Sequence, residues 1–154
     1  MKELIRQIAC AVCKALGNGQ SLGKPISTQT IDSTELYKIL RLRFPTDGQL
    51  YLSDKEYKLC HIEDIECFLI KDETNRVGYI PEERDCDDFA YRLMGQFSIP
   101  GWSDLTLGIV WTDLHALNCF IDEDKKFWFI EPQKDELQPF LEEWQGKTIR
   151  FIMM

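Results

Sequence analysis

Residues 105–131, LTLGIVWTDLHALNCFIDEDKKFWFIE, decide how this chain is read. Apolar residues fill three stretches, about 105–111, 115–121 and 126–131, each of strand length rather than helix length. The acidic turn Asp122-Glu123-Asp124 joins the second and third as a hairpin. Facing residues of an antiparallel pair keep a constant sum of numbers, and a turn centred on Glu123 gives a sum of 246. That sum sets Glu131 directly opposite His115, with both side chains on one face. A loop centred between 123 and 124 would turn them to opposite faces, so the reading requires an odd-length turn or a bulge.

Outward from the hairpin, residues 86–96 carry Phe89, Ala90, Leu93 and Met94 at helical spacing, and Pro100-Gly101 breaks the chain after them. Glu136 to Trp144 reads as a short helix or helical turn, with Pro139 tolerable only in its first turn. Thr148 to Met153 is a final strand. Upstream, residues 3–16 read as a helix ended by Gly17-Asn18-Gly19. Asp32 or Ser33 caps a short helix, a strand is expected near Leu50-Tyr51-Leu52, and Glu63 to Lys71 is helical. Asp72 to Arg76 is polar and loop-like, and Tyr79-Ile80-Pro81 is extended. Helices come first and antiparallel strands last, which is an α+β arrangement. The expectation is one domain over 1–154: a mainly helical part over 1–77, then a cysteine-bearing helix and an antiparallel sheet of four or five strands over 78–154.

A length of 154 residues and an apolar fraction of 44% suit an ordinary globular domain. Lys+Arg 18 against Asp+Glu 26 gives a net charge of −8, which repels phosphate backbones, so no nucleic-acid partner is expected. No apolar run approaches the ~20 residues of a membrane span, so no membrane partner is expected. The start Met1-Lys2-Glu3, with Arg6 and Gln7 among apolar residues, reads as an amphipathic helix and not a signal peptide. Six cysteines without a signal peptide read as reduced thiols, which makes a cytoplasmic location the expectation. Cys10 and Cys13 form a CxxC. They lie on the face marked by Ile5, Ile8, Val12 and Leu16, so packing is preferred to a redox or zinc role.

Three polar residues stand where an apolar lining is expected: Cys86 at a helix start, His115 at a strand start and Glu131 at a strand end. A thiol nucleophile needs a base for its proton and a third group to orient that base, and these residue types supply the three roles. The helix N-terminus favours a thiolate at Cys86, whereas Glu82, Glu83, Asp85, Asp87 and Asp88 raise its pKa. A hard cation such as calcium would offset those acids, with Gln133 adding an amide oxygen. The plain alternative is a packed cysteine behind first-turn helix acids.

Asp85-Cys86-Asp87-Asp88-Phe89-Ala90, His115-Ala116-Leu117-Asn118 and Ile130-Glu131-Pro132-Gln133, in that order, resemble the papain-like cysteine peptidase superfamily. The resemblance covers about residues 78–135. It is nearest to the papain-like domain attached to a fungal lectin, the fairy-ring mushroom agglutinin, and to single-domain proteins of bacteria and phages. It implies a papain-like fold, with Cys86 as nucleophile, His115 as base and Glu131 orienting the histidine. It also implies calcium beside the site, held by Asp87, Asp88 and Gln133. One departure is that Tyr79 to Arg84 lacks the glutamine that usually precedes the nucleophile and helps form the oxyanion hole; backbone N–H groups at Cys86 could serve instead.

The expected function is therefore that of a cysteine peptidase or amidase acting on a protein or peptide substrate. One alternative is a non-enzymatic structural or binding protein of phage type on a degenerate peptidase fold, favoured by the acids around Cys86 and the missing glutamine. Another is a transglutaminase-like acyl transferase. A cell-wall amidase of the NlpC/P60 or CHAP type is weaker, because no signal peptide or wall-binding module accompanies it. An iodoacetamide or E-64 adduct on Cys86 alone would favour an enzyme.

Overall fold

The computed structural model describes residues 23–25, 27, 29–46 and 48–154. The helix expected over 3–16 and the Cys10/Cys13 pair lie outside the described residues. In chain order the elements are β1 (Gln29–Asp32), α1 (Ser33–Arg43), β2 (Gln49–Tyr51), β3 (Glu56–Leu59), α2 (Ile62–Lys71), a 3₁₀ turn over Thr74–Arg76 and α3 (Cys86–Phe97). Then follow β4 (Leu107–Thr112), β5 (Ala116–Ile121), β6 (Phe127–Glu131), β7 (Glu136–Gln138), a second 3₁₀ turn over Glu143–Gln145 and β8 (Ile149–Met153).

The apolar stretch 105–131 forms the centre of a six-stranded sheet, in the order β2-β8-β4-β5-β6-β7. All its pairs are antiparallel except β2 with β8. Strand β5 is buried at every position, so both faces of the sheet are covered there. On one face, Leu36, Leu40 and Phe44 of α1 and its end, with Tyr57 and Leu59 of the separate β1–β3 ribbon, pack against Val110, Leu117, Cys119 and Phe129. On the other, Ile65 and Phe68 of α2 and Leu93 and Phe97 of α3 pack against Leu107, Phe120 and Ile130. The Phe68 and Phe97 rings stack with centroids 3.8 Å apart. Full burial of each such side chain stabilises the fold by roughly 1.5–3 kcal/mol. Asp32 starts α1 as expected, its Oδ1 accepting the Glu35 N–H at 2.8 Å.

The hairpin closes differently from the expected register. Asn118 faces Ile130, Cys119 faces Phe129 and Ile121 faces Phe127, a sum of 248 rather than 246. Asp122 N–H donates to the Lys126 carbonyl at 3.0 Å, which leaves the three-residue loop Glu123 to Lys125. Lys125 takes the left-handed conformation there, with φ 59°. His115 is thus displaced from Glu131 by two residues along the strand. A shift of two keeps both side chains on one face.

The expected α+β papain-like class is corrected. Among the described residues there are eight strands against three α-helices. Three of those strands fall in the part read as mainly helical. The main sheet has six strands and one parallel pair, not four or five antiparallel strands. Glu136 to Trp144 is not a helix, because Glu136–Gln138 pairs with the edge of β6 instead, and only Glu143–Gln145 turns helically, as a 3₁₀ turn. Propensity gave way to an available strand edge.

Candidate functional site

The start of α3 and the turn between β4 and β5 meet at one end of the sheet. Cys86 is the first residue of α3, and the Asp88 carboxylate accepts the Asp85 N–H at 3.2 Å across the helix start. The thiol lies against the backbone N–H groups of Ala116 and Asp87. Burial pushes its pKa up, the Ala116 N–H works against that shift, and Asp85 and Asp87 push it up further. The net direction is upward, so the sulfur is held as a neutral thiol near neutral pH.

His115 is placed by a tight turn. Thr112 Oγ1 accepts the His115 N–H at 2.8 Å, and the Thr112 N–H donates to the His115 carbonyl at the same distance. His115 Nε2 then meets Glu131 Oε2 at 2.8 Å. The same carboxylate accepts Gln145 Nε2 at 2.9 Å, and its Oε1 accepts the Gln133 N–H at 3.2 Å. Burial works against the Glu131 carboxylate, but the bond and charge of His115, the Gln145 amide and the Gln133 N–H hold its pKa below the usual value. Gln145 is itself fixed, its Oε1 accepting the Glu142 N–H at 2.9 Å and the Gln138 amide. Above this chain of bonds, the Trp144 ring lies against His115 at 4.9 Å between centroids. Trp144 is 46% exposed, and Lys134 sits over its ring at 5.2 Å. The segment continues into an open groove of about 440 Å³ lined by Arg43, Phe140, Glu142, Glu143, Gly146 and Lys147.

The structure brings His115 to Glu131 and brings the Cys86 thiol to the residue after His115. Of the residues expected to hold calcium, Asp87 lies with Asp85 and Cys86, one ligand atom of each within 4.8 Å of the others. Asp87 has its pKa raised, first by a hydrogen bond to Asp85 and then by burial. Asp88 is engaged in the helix cap, and Gln133 presents its backbone N–H to Glu131. Sequence reasoning missed Gln145, Trp144 and the turn-forming role of Thr112. Only Thr112 had a local signal, a hydroxyl three residues before a tight-turn end.

No family model matches this chain, and no curated protein matches it either. Solved structures do. One, described as "PSL1a-E64 complex", superposes with a TM-score of 0.69 at 21% identity, over 81% of this chain and 50% of its own. Another, described as Polyporus squamosus lectin bound to the human-type influenza-binding epitope Neu5Aca2-6Galb1-4GlcNAc, gives 0.62 at 20% identity, over 79% and 49%. This chain thus spans about half the length of each, and at such identities the likeness is one of fold. One description names a lectin, the other a complex with E64, and neither names a peptidase. They overturn the identification with the papain-like cysteine peptidase superfamily, and with it the cysteine hydrolase, thiol-protease and phage attributions. The neighbour described as a lectin is bound to a carbohydrate. Among the described residues no helix is long and apolar enough to cross a membrane.

Proposed function

We propose that this chain is a non-enzymatic binding domain whose ligand is a glycan, seated where Trp144 meets His115. The observation that carries this reading is the half-exposed Trp144 ring, set over a buried, hydrogen-bonded chain of His115, Glu131 and Gln145. An aromatic face accepts the C–H face of a sugar ring, and fixed polar groups beside it select hydroxyl orientations. Phe140, Glu142 and Arg43 extend the same chemistry along the adjoining groove. Cys86 contributes a neutral thiol to the rim, which suits contact better than nucleophilic attack. The glycan named for the lectin neighbour gives the ligand class, and the fold likeness gives it relevance.

In this reading Cys86, His115 and Glu131 line or support the ligand site. Calcium beside it is also a proposal. The Asp85 and Asp87 carboxylates are donors of the right hardness, while the Cys86 sulfur is a poor third ligand for such an ion. A cytoplasmic location is proposed on the free thiols of Cys60, Cys67, Cys86 and Cys119.

The test titrates the full chain with the trisaccharide Neu5Aca2-6Galb1-4GlcNAc by calorimetry, beside Trp144→Ala. Saturable binding that is lost in Trp144→Ala supports the proposal. E64, named with the other neighbour, is the second probe: an adduct on Cys86 alone, read by intact mass, counts against the non-enzymatic reading. Absence of glycan binding overturns the ligand class. Turnover of an amide substrate that disappears in Cys86→Ala overturns the binding role itself.

A further inference from the structure

A second polar site lies apart from the residues used above. The turn Thr74–Arg76 meets the turn between β6 and β7, where Asn75 Nδ2 donates to Asp135 Oδ2 at 2.5 Å. Asp72, 6% exposed, accepts the Thr74 N–H on Oδ2 at 2.8 Å. The Thr74 side chain is completely buried, and its Oγ1 has no hydrogen-bond partner. Asn75 Oδ1 and Asp135 Oδ1 are likewise buried without partners. Asp72 is near enough to oppose ionisation of Asp135. Arg76, whose charge works against the Asp135 shift, directs its guanidinium to Glu73 at 2.8 Å and is largely exposed.

Buried polar atoms are almost always paired, so three unpaired oxygens on two touching turns require an explanation. A water molecule would satisfy the hydroxyl and the amide, but it would leave two neighbouring carboxylates uncompensated. A cation answers both needs. All four groups offer oxygen, with no sulfur or imidazole among them, which selects a hard ion over zinc or copper.

We propose that Asp72, Thr74, Asn75 and Asp135 form a binding site for a hard divalent cation of the calcium class, which pins the Thr74–Arg76 turn to the β6–β7 turn. Two carboxylates, one amide oxygen and one hydroxyl supply four ligands, and waters complete the six to eight that calcium takes. The site is independent of the glycan reading, since none of its residues belongs to the Trp144 groove.

The test uses the full chain after chelator treatment, with calcium chloride alone as the probe and magnesium and manganese chlorides as further arms. Calorimetry and thermal melting are read together. The expected result is saturable calcium uptake with a rise in Tm. Asp135→Asn should weaken this uptake at least tenfold, while Asp87→Asn, whatever it removes at the Asp85–Asp87 pair, should leave the Asp135 uptake at the parent's affinity. That contrast separates this site from the Asp85–Asp87 pair. Should Asp135→Asn fail to fold, Thr74→Val, which keeps the shape of the buried side chain, carries the test with the same expected loss. No uptake by the parent at millimolar calcium overturns the proposal. So does uptake that is undiminished in Asp135→Asn or Thr74→Val, or lost in Asp87→Asn alone.

Discussion

Two buried polar groups of this chain are built on opposite terms. Around Glu131 every contact is answered: His115, Gln145 and the Gln133 N–H all reach one carboxylate, which stays ionised and nearly inaccessible. Around Asp135, three oxygens have no partner, and the acid is pushed up to about 7 by burial, with Asp72 adding to the shift. A closed network holds its members in place and contributes to stability on its own. An open one carries a penalty until something binds. The same residue types thus serve as scaffold in one place and as receptor in the other.

The sharpest way to break this contrast is to remove Glu131. Glu131→Ala strips a fully buried carboxylate and leaves His115 and Gln145 without their acceptor. Breaking a buried charged pair in this way costs about 3 kcal/mol or more, so the melting temperature should fall by many degrees. A drop of only a degree or two would mean that the network is ornamental. The acid limb sharpens the same point. The Glu131 folded pKa lies below its ordinary value of 4.5, so its stabilisation is fully present above that value. It is lost as pH falls through the lower folded pKa. Glu131→Gln should show a flatter melting profile than the parent below pH 4.5.

The Asp135 side predicts the reverse sign. Its folded pKa, about 7, is raised above the ordinary 3.8, so the cation-free protein should lose stability as pH rises from about 4 through 7. Asp135→Asn should remove that slope and leave the cation-free protein more stable at pH 8. The group is half-buried, so screening limits the gain to roughly 1 kcal/mol. Melts at pH 5 and pH 8 with chelator present read it directly. A cation-free Asp135→Asn protein less stable than the parent at pH 8 would mean that Asp135 is structural rather than strained.

The two regions were also unequally visible in the sequence. The β5–β6 hairpin was legible because apolar runs and an acidic turn are local signals, and an odd-length loop was the only kind that kept His115 and Glu131 on one face. The register was missed by two residues, since the loop starts after Asp122 rather than being centred on Glu123. Gln145 was not legible. It reaches Glu131 across fourteen residues of chain through a turn that no periodicity marks. Asp72 to Arg76 looked like a solvated loop from its composition. Burial of Asp72 and Thr74 comes from elements packed over them, which local pattern does not carry. The Cys86 resemblance led furthest astray in function, because three short blocks in order fix neither the fold nor the activity.

The smallest effect on stability is expected at the ring above the closed network. Trp144 is nearly half exposed, and its indole Nε1 donates to Glu142 two residues away, a local bond with little hold on the core. Trp144→Ala uncovers His115 on one side without removing any hydrogen bond of the Glu131 chain. The cost should therefore stay within about 1 kcal/mol, well below that of Glu131→Ala. Trisaccharide binding should disappear all the same, because the ring supplies the stacking face. This pairing of a near-silent melt with a lost ligand separates a receptor residue from a scaffold residue. If Trp144→Ala lowers the melting temperature as far as Glu131→Ala does, the ring is a lid that the buried network needs. The binding surface would then have to lie elsewhere along the Phe140 groove.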